Sequence, residues 1–234
     1  MTFSCSQKFV QKDYRTAVGL VGGGLEGLCV TLCAKWCHLI LSDTLDTWSN
    51  PTTSAPMRFQ NFYSPALIDA LGKEQRVSNA RLNRMKEATD GLEKMLMVAK
   101  IMGQQGLGQE RQPLIDAVSD TVPELEHRGD NIPRQILSRF GCTNVGAPAQ
   151  VGWGNLANSL NEKHCYAIVF QTQNGQHAIA AYVSGGVFNH DYHIFDPNFG
   201  EFKATDKASA TRLLQTLGDR YGKPQHARLF QMRL

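Results

Sequence analysis

The chain has no CxxC pair, no long apolar run and no strong excess of charge of either sign. Without CxxC it lacks the usual signature of a structural zinc site or a thioredoxin-like redox pair. Its most apolar stretch, LCVTLCAKWCHLILS, is broken by Lys35 and His38. That stretch falls short of the ~20 apolar residues needed to cross a bilayer, so no integral membrane segment is expected. A formal net charge of +3 is too small to argue for nucleic acid. The basic residues, among them Arg76, Arg81, Arg84, Lys86, Arg134 and Arg139, are scattered and lack the interleaved aromatics that stack on bases. They read as solvated helix faces. The N-terminus, MTFSCSQKFVQKDYRT, has neither the apolar core nor the small-residue cleavage site of a Sec signal peptide, and Thr2 excludes N-myristoylation. Export by a machine that reads a polar N-terminus stays open. The six cysteines (Cys5, Cys29, Cys33, Cys37, Cys142 and Cys165) are therefore expected as reduced thiols.

What is present is a change of period near residue 160. Before it, apolar residues recur at helical spacing: over Gly27 to Leu41, over Ser78 to Met102, and in shorter stretches from Pro113 to Val122 and Ile132 to Phe140. Pro-rich or Gly-rich punctuation separates them: NPTTSAP, GQQGLGQ and GAPAQVGWG. After it, HCYAIVFQ, HAIAAYVS and YHIFDP alternate as strands, with NG and SGG as turns. GEFKA follows as a short strand, SATRLLQTLGDRYG as a helix and HARLFQMRL as a closing strand. Helices followed by an antiparallel meander imply an α+β fold. The expected organisation is a polar N-terminal segment, 1–21, open to disorder or to a role in secretion, and one domain over 22–234. Within that domain a helical lobe spans about 22–160 and a sheet lobe about 161–234.

Cys29, Cys33 and Cys37 fall at four-residue intervals on one helical stripe. The first and last would lie ~12 Å apart along the helix axis. A zinc–thiolate bond is only about 2.3 Å, so the three cannot share one ion. A pair with His38 or a distant ligand has no motif behind it, and no metal or cofactor is expected. Free cysteine packs as a small hydrophobe, which accounts for Cys33 and Cys37 beside Trp36 and Ile40. Cys29 differs because it sits in the first turn of its helix, after GGGLEG. Partial positive charge and unpaired N–H groups there favour a thiolate.

A thiolate nucleophile needs an imidazole to share its proton and a third group to orient that imidazole. His177 opens the strand HAIAAYVS, and Asp196 ends the next strand, where Pro197 and Gly200 stop pairing. Adjacent antiparallel strands can join those two side chains. His193 is the nearest rival, although its alternation with Phe195 suggests a sheet face. His127, His164, His190 and His226 have no obvious carboxylate partner.

GLCVTLCAKW resembles the nucleophile motif of the YopT/AvrPphB family of bacterial effector cysteine proteases, down to the Trp seven residues after the cysteine. GQHAIAAYVSG resembles its histidine strand and YHIFDPNFGEF its acid motif. The three blocks fall in the order Cys, His, Asp, on compatible elements. The resemblance implies a papain-like fold, in which an N-terminal helical subdomain packs on a C-terminal antiparallel sheet, with Cys29, His177 and Asp196 as the catalytic triad. It also implies delivery by a specialised secretion system into a host cell, cleavage of a host protein such as a small GTPase or a kinase, and room for a secretion chaperone. Residues 42–150 carry no comparable match.

One departure stands out. Papain-like enzymes place Gln or Asn five or six residues before the nucleophile to stabilise the oxyanion, and those positions here are Gly24 and Gly23. Gln7, Gln11 or a backbone N–H of the glycine loop could substitute, and the sequence does not choose. The same triad also serves acyl transfer, transglutamination and deamidation, and the fold without catalysis would make a binding module for a host protein.

Overall fold

The computed structural model of the protein describes residues 3–20, 28–44, 50–104, 133–173, 175–185 and 190–234. The helix expected at Pro113 to Val122, His127 and the GGGLEG stretch lie outside the described residues.

The strong apolar patterns become the central elements. Helix α2 (Leu28–Thr44) buries Leu32, Cys33, Trp36, Cys37 and Ile40 on the stripe read from the sequence. Strands β4 (His164–Thr172), β5 (Gly175–Val183), β6 (Tyr192–Asp196) and β7 (Gly200–Ala204) form the expected meander. Helix α6 (Lys207–Arg220) follows, its N-terminus capped by Asp206, whose carboxylate accepts from the Ser209 N–H at 2.7 Å. The closing strand β8 (His226–Arg233) returns to pair with β4.

The alternation of β4 and β5 divides the core into two layers. Cys165, Ala167 and Val169 of β4 and Ala178, Ala180 and Tyr182 of β5 face α2. Three of those six are alanine, which lets α2 lie close across β4, β5 and β6. The odd residues of β5, Ile179, Ala181 and Val183, join Ile168 and Phe170 on the other face. There they pack against Leu213, Leu214 and Leu217 of α6 and against Trp153 and Leu156 of a 3-10 segment. Each such large side chain contributes roughly 1.5–3 kcal/mol by leaving water.

Other elements carry weak or no local signal. Helix α4 runs from Pro65 to Gln104, starting well before the expected Ser78, because buried Leu67 and Leu71 anchor an extra stretch despite Gly72. Helix α3 (Ala55–Gln60) starts inside NPTTSAP, whereas residues 133–139 form the short helix α5 expected over Ile132 to Phe140. Strand β2 (Thr143–Asn144) and strand β3 (Ala149–Gly152), the latter inside GAPAQVGWG, both pair with β8.

The N-terminal segment differs from the separate, disorder-prone stretch expected on polarity. Residues Phe3–Gln7 form β1 and pair antiparallel with β7, and Gln11–Ala17 form α1. Phe9 and Tyr14 sit in the core, the Tyr14 hydroxyl donating to the Phe62 carbonyl at 2.5 Å. Among the described residues the sheet thus has eight strands, in the order β1-β7-β6-β5-β4-β8-β2 with β3 also on β8. An antiparallel sheet with α2 on one face and α6 on the other is the α+β architecture read from the sequence. None of the described helices is long and apolar enough to cross a membrane.

Candidate active site

Cys29 is the second residue of α2, in the turn whose N–H groups have no helical partner. It is 3% exposed and lies in the wall of a cleft of about 310 Å³ that His177, Asn198 and Tyr221 also line. The other two cysteines of the stripe, Cys33 and Cys37, are fully buried. Burial first, then the neighbouring thiols, pushes the Cys33 thiol well up, and burial does the same to Cys37. Both are therefore inert core thiols.

His177 enters the cleft from the third position of β5, opposite Phe170 in β4. Its ring stands edge-on to Phe170, with centroids 5.5 Å apart, and lies 4.6 Å from the Tyr221 ring. Asp196 ends β6 and is completely buried. Strand alternation puts His177 and Asp196 on the α6 side of the sheet. His177 Nε2 lies 3.3 Å from Asp196 Oδ1 and 2.9 Å from the Tyr221 hydroxyl. The histidine is also hydrogen-bonded to Cys29. With Nε2 committed to the acid side, Nδ1 is the nitrogen left for the sulfur.

Burial alone would lower the His177 imidazole, but the hydrogen bonds to Asp196 and Cys29 outweigh it, and its pKa is pushed up to about 10. At neutral pH the ring is thus an imidazolium, donating from both nitrogens. The Asp196 carboxylate is itself fixed by its neighbours. It accepts from the Asn198 N–H at 2.8 Å and from the Tyr221 hydroxyl at 2.9 Å. Asn198 in turn donates its side-chain N–H to the Tyr221 oxygen at 3.1 Å. Burial, reinforced by the adjacent carboxylate, pushes the Tyr221 phenol far up, so it stays a donor.

The structure therefore gathers Cys29, His177 and Asp196, which the sequence singled out. Tyr221 escaped the sequence reading, because a tyrosine one residue past a helix end has no distinguishing local pattern. His193 points away from the cleft, Nε2 lying 3.2 Å from Asn50 Oδ1 and Nδ1 3.8 Å from Glu201. His190 does meet a carboxylate, Glu162, at 2.9 Å, but beside Ser184 at the opposite end of β5. Chemically, the cleft offers a sulfur, an imidazole able to give and take its proton, and a buried carboxylate holding that imidazole in place.

Comparison with known proteins bears on the family and the fold. The family model described as Peptidase_C58, Yersinia/Haemophilus virulence surface antigen, matches residues 2–234. The crystal structure of the Pseudomonas avirulence protein AvrPphB is similar over 89% of this chain and 92% of its own, with 15% identity and a TM-score of 0.51, which supports the fold. PatoxP, a cysteine protease-like domain of the Photorhabdus asymbiotica toxin PaTox, aligns over 94% of this chain and 87% of its own, with 12% identity and a TM-score of 0.27. No curated protein is matched by the sequence. With its whole described fold inside the matched span, the chain belongs to the Peptidase_C58 family and is a cysteine peptidase.

Proposed function

We propose that this peptidase is a virulence effector that cuts a backbone amide in a host-cell protein, with Cys29 as nucleophile, His177 as general base and acid, and Asp196 as the orienting acid. One observation carries the assignment: His177 is hydrogen-bonded to Cys29 and to buried Asp196 within a single cleft. The Cys29 sulfur adds to the carbonyl carbon and the C=O electron pair moves onto oxygen. When the oxyanion collapses, the C–N bond breaks and the His177 imidazolium protonates the leaving amine. Neutral His177 then takes a proton from water, whose oxygen attacks the thioester carbon; the second oxyanion collapses, the C–S bond breaks, and the acid product leaves the Cys29 thiolate beside the His177 imidazolium.

The lining of the cleft suits a peptide: polar side chains (Thr172, Gln173, Gln176 and Asn198) can exchange hydrogen bonds with an extended backbone. The test compares new protein N-termini in host lysate treated with wild type and with Cys29→Ala. Wild type should generate N-termini that Cys29→Ala, His177→Ala and Asp196→Ala do not, while all three variants keep the wild-type melting transition. Equal N-termini from wild type and Cys29→Ala would refute the assignment. A new isopeptide bond or a one-dalton side-chain change in place of a cut would make the thioester chemistry transfer or deamidation.

A further inference from the structure

The cleft contains one polar side chain that the triad leaves unexplained. Gln11 is 3% exposed and shares the cleft wall with Cys29. Its Oε1 is buried without a hydrogen-bond partner among the described residues. An unpaired buried acceptor costs about 1–3 kcal/mol, so the fold bears a cost to hold this amide in the cleft wall. Since Oε1 is shut in, Nε2 with its two N–H donors is the end available to the cleft.

The backbone holds this side chain in register with the triad. The Gln11 N–H donates to the Pro197 carbonyl at 2.7 Å, directly after Asp196. Just upstream, residues 7–9 press onto Gly200, where a Cβ would come within 2.0 Å of the Gln7 carbonyl oxygen. The strand and helix that bring in Gln11 are thus anchored to the same loop that presents the acid. Gly23 and Gly24, in the positions where a papain-like enzyme has its amide side chain, have no side-chain donor.

We propose that Gln11 supplies the second oxyanion donor, reaching the reacting carbonyl from α1 instead of from the stretch that precedes the nucleophile. This rests on the assignment of Cys29 as nucleophile. As the sulfur adds to a carbonyl carbon, the displaced electron pair on oxygen accepts from the Cys29 backbone N–H and from Gln11 Nε2. Donors set for the oxyanion act mainly on the transition state, and losing one costs ~10²–10³ in rate.

Two small reagents separate this role from a structural one. Iodoacetamide alkylates a thiolate by displacing iodide and forms no oxyanion. p-Nitrophenyl acetate acylates the same sulfur through an oxyanion and expels nitrophenolate. Wild type, Gln11→Ala and Gln11→Glu should all be alkylated at Cys29 at the same rate. The nitrophenolate burst should fall by ~10²-fold in both variants, Glu retaining the size of Gln without the N–H donor. A burst at the wild-type rate in both variants overturns the proposal, as does a parallel loss of alkylation and acylation. If wild-type Cys29 alkylates no faster than the core thiols Cys33 and Cys37, the nucleophile assignment itself fails, and this inference with it.

Discussion

At the scale of single residues, the charge state of His177 decides what the cleft can do. Its pKa of about 10 comes from Asp196 and Cys29 working against burial. A group raised above its ordinary 6.5 stabilises the fold fully below that value, and the contribution is lost as pH rises through about 10. In a proton NMR titration from pH 5 to 9 the His177 ring should hold its protonated shift. The His38 ring, lowered by burial and by Lys35, should change below the usual histidine midpoint. Asp196→Asn removes the carboxylate hydrogen bond and should bring the His177 midpoint down into the observed range. A wild-type midpoint below 7 would contradict this electrostatic account. The residues of this trio were legible because each sits at an element end that local pattern defines. Tyr221, which bonds both His177 and Asp196, was not, since its role exists only once α6 is laid against the sheet.

At the scale of elements, the edge between β1 and β7 is where sequence and structure part company. Gly200 has φ of +115°, and a Cβ there would also lie 2.9 Å from Lys8 Cα. Because backbone rather than a flexible side chain fills that space, Gly200→Ala must displace residues 7–9. It should destabilise the protein by more than about 1 kcal/mol, read from urea denaturation. It should also slow turnover beyond what the stability loss explains, because α1 shifts with the strand. Wild-type stability and activity together would show that the contact is not tight. The strands β4 to β6 were readable because each is a short, buried, largely apolar run bounded by turn residues, a pattern that needs no knowledge of neighbours. Strand β1, FSCSQ, is mostly exposed, and only its pairing with β7, Phe3 opposite Ala204, makes it a strand. No local window contains that information. Strand β3 was hidden for the same reason, its partner Leu229 lying far along the chain from Ala149.

At the scale of the whole molecule, one buried charge cluster joins the helices to the sheet. Glu201 of β7 is paired with Arg58 of α3, both almost wholly buried. It also accepts from the Trp36 indole N–H of α2 at 2.7 Å. The motif tryptophan seven residues after Cys29 thus acts as a strut, stacked on Phe195 with centroids 5.9 Å apart. Burial opposes the charge on Glu201, but the nearby His193 ring and the hydrogen bonds from Arg58 and Trp36 outweigh it and hold its carboxyl below the usual range. The stability it lends is present above the unfolded carboxylate range and is lost as pH falls through the folded value. Arg58→Met would strand that carboxylate and should cost about 3–5 kcal/mol by urea denaturation. A double variant, Arg58→Met with Glu201→Gln, should recover part of the loss. No recovery would mean that Arg58 matters for its packing and not for its charge.

The sheet order has a consequence for how the protein comes to life on the ribosome. The proposed nucleophile, Cys29, is made well before His177, Asp196 and Tyr221, which surround it in the finished cleft. Strand β1, which leads into Gln11 and α1, likewise finds its partner β7 only once Ala204 has been made. Contacts between such distant positions close late because loop entropy delays them. A growing chain therefore carries an unarmed Cys29 until residues as far on as Tyr221 have been made, and on the proposed assignment the cleft becomes competent only late in folding.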